Sequence, residues 1–179
     1  MSEPFQHLFN GARPLVLEQG QTLFLTGDPV ALVHLVQSGK VALLRRTPQG
    51  GTLRLQLAAP GEVLAEASVW SALYHCDAEA DGPATLLSVP VTRFRHRLTE
   101  DAALAEAWAR HLARSVQAAR FRAALLALRG VAERLDAWVA EGHDLPPHGA
   151  IQTLAADLGV TREALYRELS RRRHRGDRT

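Results

Sequence analysis

The feature that most constrains the fold is a change of period at Thr99. From about Pro14 to Pro90 the apolar residues come in short runs, "LFLTG", "LVHLVQSG", "VALLRR", "LRLQLAAPG" and "TLLSVP", each closed by Gly, Pro or polar residues. Runs of that length with such boundaries are strand-like. Gly27-Asp28, Ser38-Gly39, Gly50-Gly51 and Pro60-Gly61 fall where hairpins and corners need positive φ or a fixed turn. The first half therefore reads as a compact antiparallel β-barrel or sandwich. From Thr99 onward the pattern is long, alanine-rich and helical. The fold class expected is α+β: a β-roll over 1–98, a long helix and hinge over 99–129, and a smaller helical domain over 130–179. A content of 46% hydrophobic residues is ample for packed cores in both halves.

Thr99-Glu100-Asp101 supplies a cap and N-terminal negative charge for the long helix. Carried through Leu128, that helix is roughly 42 Å long at 1.5 Å per residue, more than a small β-domain requires. Leu104, Trp108, Leu112, Ser115, Ala119, Ala123 and Leu126 recur every three or four residues and form one seam. Such a seam either covers the β-domain or pairs with a second copy, with Ala119 and Ala123 allowing close approach; the length favours the second. Gly130 marks a hinge, and Val131, Leu135 and Val139 give a shorter helix ending near Gly142. After the connector "HDLPPHGA", Leu154, Ala155 and Leu158 form one short helix face, Gly159 permits a sharp turn, and Thr161 caps a helix bearing Leu165 and Leu169. That is a helix-turn-helix pattern.

The formal net charge of +2 is unevenly spread. Residues 1–98 and 99–142 are balanced, and the excess lies in 143–179, where seven arginines meet five acids. No apolar run approaches the roughly 18 to 20 residues that span a membrane, and the N-terminus lacks the pattern of a secretory signal, which places the chain in the cytoplasm. A single cysteine, Cys76, excludes an internal disulfide framework. There is no Gly-rich phosphate loop, His-Glu-x-x-His or nucleophile elbow, so an enzyme is not expected.

The order of β-domain, long helix, hinge and "LAADLGVTREALYREL" resembles the cyclic-AMP receptor and fumarate-nitrate-reduction regulator family of bacterial transcription factors, over roughly Leu15 to Ser170. "GQTLFLTGDPVALVHLVQSGKVALLRR" and "PGEVLAEAS" look like that family's effector-domain β-roll, and "GVTREALYREL" like its recognition helix. The resemblance implies a homodimer joined through residues 100–128, double-stranded DNA as partner, and RNA polymerase as a further one. It assigns DNA contacts to Thr161, Arg162, Glu163, Tyr166 and Arg167. The neighbouring Arg171, Arg172 and Arg173 are placed on phosphates. Arginine can donate two hydrogen bonds to guanine O6 and N7, and glutamate can accept from cytosine N4. The competing account of the same residues is a solvated face held by charge pairs such as Glu163 with Arg167. Two departures are expected to matter: the family's β-hairpin wing is absent or truncated, and Glu168 stands where the family tends to be apolar, which would loosen helix packing.

The resemblance places an effector pocket around Glu62, Glu66, His75, Cys76 and Asp77. Glu66 matches the glutamate that meets the ribose of a cyclic nucleotide, but Ala65 replaces the glycine before it. Cys76-Asp77 stands where an Arg-Ser or Arg-Thr pair holds the cyclic phosphate. A buried phosphate needs cationic or N–H donors, and Asp77 would repel it, so cyclic AMP is not the expected effector. Neighbours on a strand face opposite ways, so His75 and Cys76 do not clasp one metal ion on a regular strand. Cys76 is read first as core packing, with a redox-active thiolate as the second role and haem or another metal, held by Cys76 or His75 with His34 or His7 as second ligand, as the third. The alternative to a DNA-binding regulator is a signalling adaptor, or a haem or redox sensor, whose C-terminal region makes only protein contacts.

Overall fold

The computed structural model describes residues 5–47, 51–145 and 151–176. Gly50 of the expected Gly50-Gly51 turn, positions 146–150 of the connector and positions 177–179 of the tail lie outside the described residues. The chain divides into two compact units, Met1–Leu112 and Ala113–Thr179.

The first unit is a jelly roll of two antiparallel four-stranded sheets. One has the order β1-β8-β3-β6, from β1 (Pro14–Leu17), β3 (Leu32–Ser38), β6 (Val63–Leu64) and β8 (Ala84–Pro90). The other has the order β2-β7-β4-β5, from β2 (Thr22–Phe24), β4 (Val41–Arg46), β5 (Thr52–Ala58) and β7 (Asp77–Ala80). Cys76, Ala78 and Ala80 alternate inward on or beside β7 and meet Val41, Leu43, Leu35 and Leu86 in one core. The β3–β4 turn depends on Gly39, whose φ is +75°; a Cβ there would lie 2.2 Å from the Pro83 carbonyl oxygen. No side chain fits without moving backbone.

Helix α1 (Val91–Glu100) was not evident in the sequence. It buries Val91, Phe94 and Leu98, and Asp101 then breaks the helix in extended conformation. Asp101 starts the next one: its Oδ1 accepts from Leu104 N at 3.0 Å. Thr99 and Glu100 end α1 instead of capping the long helix, α2 (Ala102–Ala127).

The expected seam on α2 keeps to one side of the helix but divides along its length. Leu104 and Trp108 are buried in the β-domain's own core, where Phe5 and Phe94 meet the Trp108 ring edge-on at 5.2 and 5.1 Å. Leu112 packs partly against the same core. The first unit consequently extends past residue 98. Further along, Val116, Ala119, Ala123 and Leu126 are exposed.

In the second unit α3 (Val131–Ala140), α4 (Ile151–Asp157) and α5 (Arg162–Gly176) close on a core of Leu125, Leu135, Ile151, Leu154, Ala155, Leu158 and Leu165. Gly130 is the extended N-cap of α3, and the Glu133 carboxylate accepts from the N–H groups of Arg129 and Gly130. Among the described residues, α5 is continuous helix from Arg162 and no strand follows it.

Candidate nucleic-acid interface and effector loop

Helix α4 ends in a Schellman-type turn. Gly159 takes φ +62°, Gly159 N donates to Ala156 O, and Val160 N donates to Ala155 O at 2.9 Å. Thr161 follows and its Oγ1 accepts from Ala164 N at 3.2 Å, so the hydroxyl caps α5 as the sequence indicates. Leu165 faces the core with no exposed surface, which leaves Arg162, Glu163, Tyr166 and Arg167 on the solvent side. Arg162 and Glu163 lie 4.0 Å apart, both well exposed.

The basic run after Ser170 is not uniform. Arg173 is exposed. Arg171 donates to Glu168 Oε2 at 2.8 Å while remaining largely exposed. Arg172 has another role. It donates to Glu168 Oε1, to Asp136 and to the Ala132 carbonyl, which ties α5 to α3. Each guanidinium nitrogen thus has a protein acceptor, so Arg172 braces the unit first and keeps only two of its five N–H donors for a phosphate. The expectation that Glu168 loosens α5 is overturned. Its carboxylate is buried but doubly paired with Arg171 and Arg172, which satisfies the charge that burial would otherwise penalise.

The effector loop departs from its sequence reading in three places. Glu62, placed in the pocket, is exposed and accepts from Ala59 N at 2.9 Å, a local cap on the Pro60-Gly61 turn. Asp77 is buried, but its carboxylate is paired. Its Oδ1 accepts from Thr26 N and Thr26 Oγ1, both at 2.8 Å, and its Oδ2 from Arg46 at 3.1 Å. The Thr26 donors foremost, and Arg46 after them, hold the carboxyl below the usual carboxylate range against the opposing push of burial. Its charge is thus paired by Thr26 and Arg46, although it is still felt at the neighbouring Cys76. Arg45, which sequence reasoning passed over, donates to the His75 carbonyl at 3.2 Å and brings a cation to β7 from across the sheet.

The remaining positions of the loop are Ala65, Glu66, His75 and Cys76. Ala65 is left-handed at φ 52°, the one non-glycine residue with positive φ among the described residues. Alanine there costs about 1 kcal/mol relative to glycine. Glu66 opens the 3-10 turn Glu66–Trp70 and is half-buried. His75 is exposed, with Nδ1 3.2 Å from Ser68 Oγ, and Cys76 faces the opposite way, wholly buried. Burial raises the thiol's pKa, Arg45 counteracts this in part, and Asp77 and Glu66 push it further up. A thiol so placed is core packing, not a reactive thiolate. His34, offered as a second ligand, is buried with Nδ1 2.7 Å from Ser88 Oγ. Among the described residues no three His, Cys, Asp or Glu side chains converge as a metal site.

Comparison with known proteins bears on both halves. Residues 14–101 match the family model "Cyclic nucleotide-binding domain". The chain is 30% identical over 139 residues to the global nitrogen regulator of Synechococcus elongatus, covering 73% of this chain and 62% of that protein. The chain is a homologue of the cyclic-AMP receptor and fumarate-nitrate-reduction type of regulator. Two solved structures share the fold along most of its length. FixK2 from Bradyrhizobium japonicum matches with TM-score 0.72 at 20% identity, over 92% of this chain and 86% of that one. The c-di-GMP responsive global regulator CLP of Xanthomonas campestris matches with TM-score 0.68 at 20% identity, over 96% and 91%. The family is one of transcriptional regulators and not of enzymes. Among the described residues no helix is long and apolar enough to cross a membrane.

Proposed function

We propose that the protein is a homodimeric, cytoplasmic transcription regulator that binds palindromic DNA through the helix-turn-helix formed by α4 and α5, with RNA polymerase as a further partner. The observation that carries this reading is the division of α5 into two faces. Leu165 and Glu168 are held inside the unit, whereas Arg162, Glu163, Tyr166 and Arg167 stand together in solvent behind the Thr161 cap. One helix rim thus offers a guanine reader, a cytosine acceptor and an aromatic contact for the major groove. Arg173, and the outer side of Arg171, are left for phosphates.

The dimer reading rests on the exposed stripe of α2. From the partly buried Leu112, the exposed Val116, Ala119, Ala123 and Leu126 follow at spacings of 4, 3, 4 and 3, the heptad pattern of a two-helix contact. A second copy related by a two-fold axis would bury the same stripe from both sides.

Selection from random duplexes is expected to return an inverted repeat whose half-site centres lie about 34 Å apart, with guanines facing Arg162 and Arg167. Arg162→Ala is expected to cost about 1–3 kcal/mol and to relax base preference at one position in each half-site. Equal affinity of the wild type for selected and random duplexes would refute DNA reading, and a flat salt dependence would favour the adaptor.

The effector is not a cyclic nucleotide. The buried Cys76 thiol stands at the phosphate position, Ala65 replaces the glycine at the ribose turn, and the Arg45 guanidinium is engaged by the His75 carbonyl. Isothermal calorimetry with cyclic AMP and cyclic GMP is expected to show no saturable heat at micromolar concentrations, because Glu66 alone offers about 1–3 kcal/mol to a ribose hydroxyl while the phosphate goes unpaired. Saturable low-micromolar heat with either nucleotide would overturn this.

A further inference from the structure

Arg134 lies on α3, half-buried, on none of the faces that the DNA reading uses. A guanidinium has five N–H donors in a fixed planar fork. Here the fork makes five hydrogen bonds to four backbone carbonyls. Nε donates to Leu128 O at 3.0 Å, and Nη2 donates to Leu128 O at 2.9 Å and Leu126 O at 3.2 Å. Nη1 donates to Leu158 O at 2.9 Å and Gly159 O at 3.0 Å. Leu126 and Leu128 stand at the end of α2, whereas Leu158 and Gly159 form the turn between α4 and α5. Carbonyls at helix C-termini have lost their intrahelical donors and carry the negative end of the helix dipole. One cation thus serves two helix ends at once.

The same junction holds a second, independent contact. Gly159 approaches α2 so closely that a Cβ on it would fall 2.2 Å from Leu126 Cδ2 and 3.3 Å from Arg134 Nη1. The turn is therefore seated against the last turns of α2 by close packing on one side and by the guanidinium fork on the other.

We propose that Arg134 is a positioning residue for DNA reading, a latch that sets the angle at which α5 is presented relative to the end of α2. This rests on the DNA-binding reading above. In a dimer joined along α2, the distance and tilt between the two α5 helices depend on that angle in each copy, so the latch fixes the half-site spacing the dimer accepts. Lysine keeps the charge but offers three donors from one point and cannot span both pairs of carbonyls.

The experiment compares wild type with Arg134→Lys and Arg134→Met. Affinity is measured for the best inverted repeat and for versions with one base pair added or removed between half-sites. Arg134→Lys is expected to keep the helical content of the wild type, to bind the best repeat roughly three- to thirtyfold more weakly, and to lose most of the wild type's discrimination among spacings. A merely structural residue would weaken all three duplexes alike. In parallel, spin labels at Gln117→Cys and Arg173→Cys in a Cys76→Ser background, diluted with unlabelled protein, report the distance from α2 to α5 within one protomer. That distance is expected to be narrowly distributed in the wild type and broad in both variants. Unchanged distance distributions together with unchanged spacing preference would overturn the latch. Should the wild type prefer no duplex at all, the DNA reading falls and the distance measurement still decides the latch.

Discussion

A Val116→Glu variant is expected to sediment as a monomer at micromolar concentration where the wild type sediments as a dimer. Val116 is 48% exposed in the single chain and is the second member of the 4-3-4-3 stripe. A dimer along that stripe would bury it twice, once from each copy. Two unpaired carboxylates in an apolar seam cost on the order of 5 kcal/mol or more together, enough to raise the dissociation constant at least a thousandfold. The protomer itself has little to lose, because Val116 belongs to neither core. Leu112 is a poorer test, since it packs against its own β-domain, and Leu126 is poorer still, since it lies over Gly159. Gln117→Glu, one position off the stripe, serves as control and is expected to remain dimeric. A dimeric Val116→Glu protein, or a monomeric wild type, would remove the α2 interface.

The second large effect concerns acid. His34 is buried on β3, and desolvation lowers its pKa from 6.5 to about 4. The folded state therefore holds the neutral ring where the unfolded chain takes up a proton. With the folded value below the unfolded one, stability is at its full value above pH 6.5 and falls as the pH drops toward 4, after which this group contributes no further change. By pH 4.5 the loss amounts to about 2.5 kcal/mol at 1.36 kcal/mol per unit. Asp77, whose carboxyl is held low, loses its contribution only in more acid solution, below the ordinary carboxylate range. Urea unfolding at intervals from pH 7.5 to 4.5 checks this, with His34→Gln as the comparison. The variant is expected to be less stable at neutral pH and to show a much shallower slope. Parallel slopes would exclude His34 as the group responsible.

What could be read in the sequence was periodic or local. The strand-length runs, the Thr161 cap and the Gly159 turn each declare themselves within a few residues, and each is present in the fold. Long-range partnerships were hidden. Asp77 meets Thr26 and Arg46 across 51 and 31 positions, and nothing in "YHCDA" tells which way its carboxylate turns. Leu104 and Trp108 lie on the same helix face as Leu126, five turns beyond Trp108, and periodicity gives the face without telling which length of it the chain's own core covers. Helix α1 was concealed by "VTRFRHRLTE", in which only Val91, Phe94 and Leu98 are buried among charged residues. Arg134 gave no signal, because an arginine beside a core leucine looks like any solvated cation. Glu168 misled in the opposite sense, its partners Arg171 and Arg172 having been set aside for phosphate.

Helix α2 gives Leu104 and Trp108 to one core and Leu125 to the other, so the border between the halves runs through a single uninterrupted helix and not through a tether. Anyone wishing to separate the halves must cut inside regular secondary structure. A fragment ending at residue 98, where composition changes, would leave Phe5 and Phe94 facing water in place of Trp108; one ending at Leu112 keeps that aromatic corner whole.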